Sequence, residues 1–150
     1  MGTGPDTIEL LGFRVTYLHA DARGQLSLLL WEAPVGARGI PLHFHTHTEE
    51  GFYVLRGELG LWLDDEELVR ATGSYTAVHA GQRHSFWNAG SEPAAYLTPI
   101  APAGFANYFG ELAEGLASAP SDDEAAALRQ RLSETYDIVV VGPPPELGAR

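Results

Sequence analysis

From residue 12 to residue 100 apolar and polar positions alternate in short runs of about five to seven residues, each closed by turn residues, the pattern of strands with one buried face. Residues 12–19 (GFRVTYLH) alternate in this way, residues 20–24 supply a turn, and residues 25–33 (QLSLLLWEA) form a second, more apolar strand of an antiparallel hairpin. Residues 34–41 hold two glycines and two prolines and read as a loop. Further strands follow at 52–56, 59–63 and 67–71, with an acidic tip at 64–66, and then at 73–78, 84–88 and 94–100. This repetition predicts an all-β protein, an antiparallel sandwich or barrel.

The period changes at Pro102. Phe105, Tyr108, Phe109, Leu112 and Leu116 recur at helical spacing, and Ser121 with Glu124 makes a capping box ahead of Ala125, Leu128 and Leu132. Two short helices are expected there. Residues 136–141 (YDIVVV) read as a last strand or an extended tail, stopped by Gly142 and three prolines. We expect one domain over residues 1–150, with a barrel over 12–101 and C-terminal helices and tail over 102–150. The aromatic stripe at 105–109 is expected to cover the barrel exterior or a partner subunit, with a lid over a site as the alternative.

Composition narrows the chemistry. At 150 residues the chain can bury a sizeable core without staples, and it has no cysteine, so any metal must be held by nitrogen and oxygen. All nine basic residues are arginine, and the net charge of −11 disfavours nucleic acid and anionic membranes as partners. The first residues lack the charged and apolar regions of a secretion signal, and no run reaches membrane-span length, so a cytoplasmic protein is expected.

The densest chemistry lies in residues 39–57 (GIPLHFHTHTEEGFYVLRG). Strand residues two apart share a face, so His43 and His45 aim two imidazoles at one point. His47 shares their parity, and the pattern alone leaves open which two of the three bind. Glu50 can return a carboxylate toward the same point, with Phe52 and Val54 on its face, and His84 opens a later strand with Phe86 and Asn88 on its own face. A carboxylate and three imidazoles buried in a small barrel are costly without a cation. Phe52 and Phe86 should line the cavity beside them, with Tyr75 and Trp62 as weaker candidates; His47 is expected at the rim beyond the ligand pair, or else in contact with substrate or with the groups behind the ligands. The plain alternative is that the aromatic residues are barrel core. Glu49, His79 and His19 are expected at the surface.

These two stretches resemble the paired motifs of the cupin superfamily, G-x5-H-x-H-x(3,4)-E-x6-G and G-x5-P-x-G-x2-H-x3-N. The first reads here as His43-x-His45-x4-Glu50-x6-Gly57 and the second as Gly73-x5-His79-x-Gly81-x2-His84-x3-Asn88. Glu50 keeps the spacing to Gly57, whereas Glu49 would miss it by one. Ala37 stands at the leading glycine of the first motif and His79 at the proline of the second, both in turns. The resemblance implies a jelly-roll barrel with His43, His45, Glu50 and His84 as ligands to one divalent transition metal per chain (Fe, Mn, Ni, Co, Cu or Zn). The segment G-F-x-x-Y-F-x-E-L-A at 104–113 is similar to the tails of small bacterial cupins of the quercetinase-like group.

What that resemblance implies is a metal-dependent dioxygenase acting on a phenolic or enolic aromatic molecule, with O₂ as co-substrate. Glu50 would serve as general base if its pKa is raised near the metal. The alternatives are a non-redox cyclase or isomerase in which the metal is only a Lewis acid, and a non-catalytic small-molecule-binding cupin. A homodimer is expected, since cupins commonly pair. A transcription factor is not, since no helix-turn-helix segment precedes the barrel.

Overall fold

The structure, a computed structural model, describes residues 6–20 and 24–147. Eleven strands among them form two antiparallel sheets. The six-stranded sheet runs β1 (Thr7–Leu10), β2 (Phe13–His19), β3 (Ser27–Ala33), β10 (Ala94–Ala101), β5 (Glu49–Arg56) and β8 (Tyr75–Val78). The five-stranded sheet runs β11 (Val139–Gly142), β4 (Leu42–Phe44), β9 (His84–Asn88), β6 (Glu58–Leu63) and β7 (Glu66–Ala71). The two sheets face each other as an antiparallel barrel, as the strand pattern predicts, and it is the jelly roll that the resemblance implies. A 3₁₀ turn (Ala103–Ala106), α1 (Asn107–Ser118) and α2 (Asp122–Thr135) follow the last long strand.

Alternation explains which residues fill the interior. β3 buries every second side chain, among them Leu29, Trp31 and Ala33, and β10 buries Tyr96, Thr98 and Ile100 on the same inner face. Opposite them the five-stranded sheet contributes Leu59, Leu61 and Phe86. Phe86 meets Trp31, Phe13 and Phe52 with ring centroids 5.0, 5.4 and 4.9 Å apart, so one aromatic cluster joins the sheets. Edge-on and tilted contacts of this kind add about 0.5–1.5 kcal/mol each beyond area burial.

The helices close one side of the barrel. Ser121 accepts a hydrogen bond from the Glu124 backbone N–H at 3.2 Å, as the capping box predicts, and Asp122, Asp123 and Glu124 complement the positive end of α2. Leu128 and Leu132 of α2 and Leu112 of α1 are buried. Gly115 leaves room for Leu128, which any Cβ there would strike. The Tyr17 hydroxyl donates to the Ala106 carbonyl at 2.6 Å and Ser27 to the Ala103 carbonyl at 2.9 Å, tying the 3₁₀ turn to the six-stranded sheet. The aromatic stripe packs inward: Phe105 and Tyr108 are buried.

Three features depart from the sequence reading or complete it. β1 lies ahead of the first expected strand, joined to β2 by a two-residue turn at Leu11 and Gly12 with φ of 51° and 87°. Such turns favour Asn or Gly, and a leucine in the left-handed region sends no turn signal. The expected acidic tip is a two-residue turn at Asp64 and Asp65, both also at positive φ. The tail forms β11, an edge strand that pairs with β4 in the register Val139 to Phe44 and Val140 to His43. The turn expected at 20–24 includes residues 21–23, which lie outside the described residues, as do residues 1–5 of the expected leaderless start.

Asn88 closes the motif end of the barrel. Its side-chain amide donates to the carbonyls of Ala33, Pro34 and Glu92 at 3.0, 3.2 and 2.9 Å and accepts from the Gly90 N–H at 2.9 Å, all in a buried position. Asn88→Ala strands these groups, so it should lower unfolding free energy by about 2–3 kcal/mol in a urea titration. A loss under about 0.5 kcal/mol, the range of a neutral surface change, would contradict this role.

Candidate metal centre

Strand pairing assembles the cluster. β4 and β9 are neighbours in which His43 lies directly opposite His84, so two imidazoles start from adjacent backbones. His45 follows just after β4. Glu50 comes from the facing sheet, where β5 places it against Ile100 of β10. The four side chains meet between the sheets with relative exposures of 8% for His43, 2% for His45, 8% for Glu50 and 1% for His84. One nitrogen from each histidine and one Glu50 oxygen all lie within 4.8 Å of one another.

Each imidazole is oriented from behind. Nδ1 faces a backbone carbonyl in every case: Pro41 for His43 at 2.8 Å, Asp137 for His45 at 2.7 Å and Gln82 for His84 at 2.9 Å. A carbonyl accepts only, so Nδ1 carries the proton and donates. That leaves Nε2 toward the centre, as metal-binding histidines are held. Glu50 Oε1 sits 3.3 Å from His45 Nε2 and 2.5 Å from His84 Nε2. Donors bonded to one ion at about 2.0–2.2 Å lie about 3 to 4.4 Å apart, so the Glu50–His84 pair at 2.5 Å would widen by about half an ångström while the longest separation, within 4.8 Å, would close by a few tenths. The donor set fits a divalent transition metal on chemistry, orientation and distance.

The electrostatics of the site are set by how the four groups face one another. Burial by itself pushes the Glu50 carboxyl up, but the charge of His84 and hydrogen bonds from His45 and His84 outweigh it and hold Glu50 well below the usual carboxylate range. Without a metal beside it, Glu50 is thus held as a carboxylate by its two histidine neighbours. Burial pushes His43 well down, aided by the neighbouring His84 and His45, so His43 is neutral. His45 is buried too, yet the hydrogen bond and charge of Glu50 raise it above its ordinary value.

The structure brings His43, His45, Glu50 and His84 together, with Phe52 and Phe86 buried in the aromatic cluster of the interior. Phe86 and His43 also border a small cavity of about 30 Å³ walled by Ile40, Phe109 and Leu112. His47 is not part of the cluster. Regular strand pairing ends at Phe44, so parity no longer holds, and His47 sits at the rim with its side chain 72% exposed, 3.4 Å from Asp137. Tyr75 and Trp62 lie on outer strand faces, because Val78 and Leu61, of opposite parity, take the inner ones. Tyr75 nonetheless lines an open groove of about 240 Å³ that reaches Glu50, with Leu26, Glu49, His79 and Ile100. Gly51 makes room for it, since a Cβ there would collide with the Tyr75 ring. Glu49 and His79 face solvent and pair at 3.4 Å, and His19 is exposed. Sequence reasoning missed Asp137, whose only prior signal was a lone acid beside the final apolar run.

His43 should be neutral at pH 7 with its proton on Nδ1. Long-range nitrogen–proton NMR correlations on metal-free protein check this, and a proton on Nε2 would contradict the orientation described.

Comparison with known proteins agrees with this geometry. The sequence profile of the cupin domain matches residues 29–100. A quercetin 2,3-dioxygenase of Bacillus subtilis (strain 168) is 37% identical over 79 residues, which are 51% of this chain and 23% of that protein. This chain therefore matches less than a quarter of that relative's length. Among solved structures, the cupin domain of Cnp3 from Schizosaccharomyces pombe superposes with a TM-score of 0.56 at 18% identity, over 64% of this chain and 67% of that one. Pac13, a nucleoside dehydratase from Streptomyces, gives 0.53 at 15% identity over 65% and 76%. These two likenesses show the fold alone. Two antiparallel sheets, the paired motifs and the profile match agree: residues 29–100 match a cupin domain, and the chain is similar over about half its length to part of a quercetin 2,3-dioxygenase.

Proposed function

We propose that this protein is a metal-dependent cupin dioxygenase acting on a phenolic or enolic aromatic small molecule, with His43, His45, Glu50 and His84 as the ligand set. The observation that carries the metal assignment is the convergence of three oriented Nε2 atoms and one carboxylate oxygen in a buried site. The similarity to a quercetin 2,3-dioxygenase supports the choice of reaction.

A redox-active divalent ion bound there supplies Lewis acidity and electron-transfer capacity. The chain's own residues do the rest. The Glu50 carboxylate, buried among the three imidazoles, is the group placed to accept the proton of a phenolic or enolic hydroxyl. The carbonyls of Pro41, Asp137 and Gln82 keep the three imidazoles from rotating as a substrate enters. Phe52 and Phe86 offer an apolar wall that suits a flat neutral ring better than a sugar phosphate. The groove lined by Tyr75 and Ile100 gives an approach to Glu50 from outside, and exposed His47 is a further contact at the rim.

Elemental analysis of protein from cells supplied with Mn, Fe, Co, Ni and Zn should find near-stoichiometric redox-active metal. Oxygen uptake should then depend on an added flavonol or related phenol. His84→Ala should remove both metal and uptake, while unchanged metal in that variant would refute the ligand set. Zinc without oxygen uptake would favour the non-redox cyclase or isomerase, and ligand binding without turnover a binding cupin.

A further inference from the structure

Two of the three imidazoles are held locally: His43 and His84 each donate to the carbonyl two residues before them. His45 differs. Its Nδ1 donates to the carbonyl of Asp137, 92 residues downstream in the C-terminal segment. The Asp137 carboxylate then grips the chain that follows His45. One oxygen accepts from the Thr46 N–H and hydroxyl, both at 2.7 Å. The other accepts from the His47 N–H at 2.9 Å and from the Thr48 N–H and hydroxyl, both at 2.8 Å. Three successive backbone N–H groups converging on one anion form a nest. The Asp137 side chain is only 9% exposed, so water competes little for these bonds.

The segment carrying Asp137 is itself fixed on both sides. Ahead of it, the Tyr136 hydroxyl donates to the Glu111 carboxylate of α1, and the Tyr136 ring lies 5.8 Å from Tyr108. Tyr108 stacks on Phe105 at 5.3 Å, and Phe105 lies 4.6 Å from the His45 ring, so packing closes a circuit back to the ligand. After it, Ile138 is buried and β11 pairs with β4, the strand that carries His43.

We propose that Asp137 is a positioning residue of the metal centre, and that docking of the C-terminal segment and metal binding at His45 are one coupled event. The proposal rests on the metal reading above. The loop between β4 and β5 has no strand partner of its own from Thr46 to Thr48, so the direction of His45 depends on what satisfies those N–H groups. Asp137 satisfies all three and also holds the imidazole. By reciprocity, a metal that fixes His45 must stabilise the docked tail.

Cobalt(II) is the probe, because it reports both affinity and ligand geometry in its visible absorption. Asp137→Ala keeps the backbone carbonyl behind His45 but removes the carboxylate that holds residues 46–48; it should bind cobalt about 10–100-fold more weakly than the unaltered protein, with altered visible bands, as expected when the support that aims a ligating histidine is lost. A folded variant with unchanged affinity and spectrum would overturn the proposal. Should the variant fail to fold, hydrogen exchange on the unaltered protein decides: adding zinc should slow the amides of residues 46–48 and 139–142, and rates unchanged there in zinc-loaded protein would overturn it equally. An unaltered protein that takes up neither metal would remove the metal reading itself, a result distinct from unaltered uptake with an indifferent Asp137→Ala.

Discussion

A carboxylate and three imidazoles held out of water at the end of a two-sheet barrel form the constraint on which this structure depends. An isolated buried carboxylate is unfavourable by several kcal/mol. Glu50 avoids that state because the facing sheet sets His45 and His84 against its Oε1. The balance is visible in the direction of its titration: burial opposes the charge, and the two histidines outweigh burial. With a divalent cation at the centre the same donors would be more fully compensated, which is the physical reason for assigning them to a metal.

Every level of the fold serves that convergence. The antiparallel register opposes His43 to His84, and the face-to-face packing of the sheets sets Glu50 across from both. The aromatic cluster of Phe13, Trp31, Phe52 and Phe86 fixes the separation of the sheets beneath the site. Asn88, four residues after His84, ties the end of β9 to the start of the loop leading to β4. The C-terminal helices add a cover, and through Asp137 they supply the carbonyl that aims His45.

Much of this was legible in the sequence. Strand alternation put His43 and His45 on one face, because a two-residue period is a local property, and the resemblance to the paired cupin motifs implied the full set with Glu50 and His84. The Ser121 cap was legible for the same reason. His47 and Tyr75 were harder to place, because that locality fails there: parity has no meaning past Phe44, and the face a short strand buries depends on its partner. β1 was hidden by Leu11, which adopts a turn conformation that leucine does not advertise. Asp137 could not be placed because its role exists only after a 92-residue separation has closed. The direction of the Glu50 shift likewise depends on two histidines meeting one oxygen.

The most direct test of the account is X-ray absorption spectroscopy at the metal edge of zinc- or cobalt-loaded protein. The account predicts one ion per chain with nitrogen and oxygen donors at about 2.0–2.2 Å and the outer-shell scattering of three imidazoles. A shell of oxygen alone, or with fewer than two imidazoles, would contradict it.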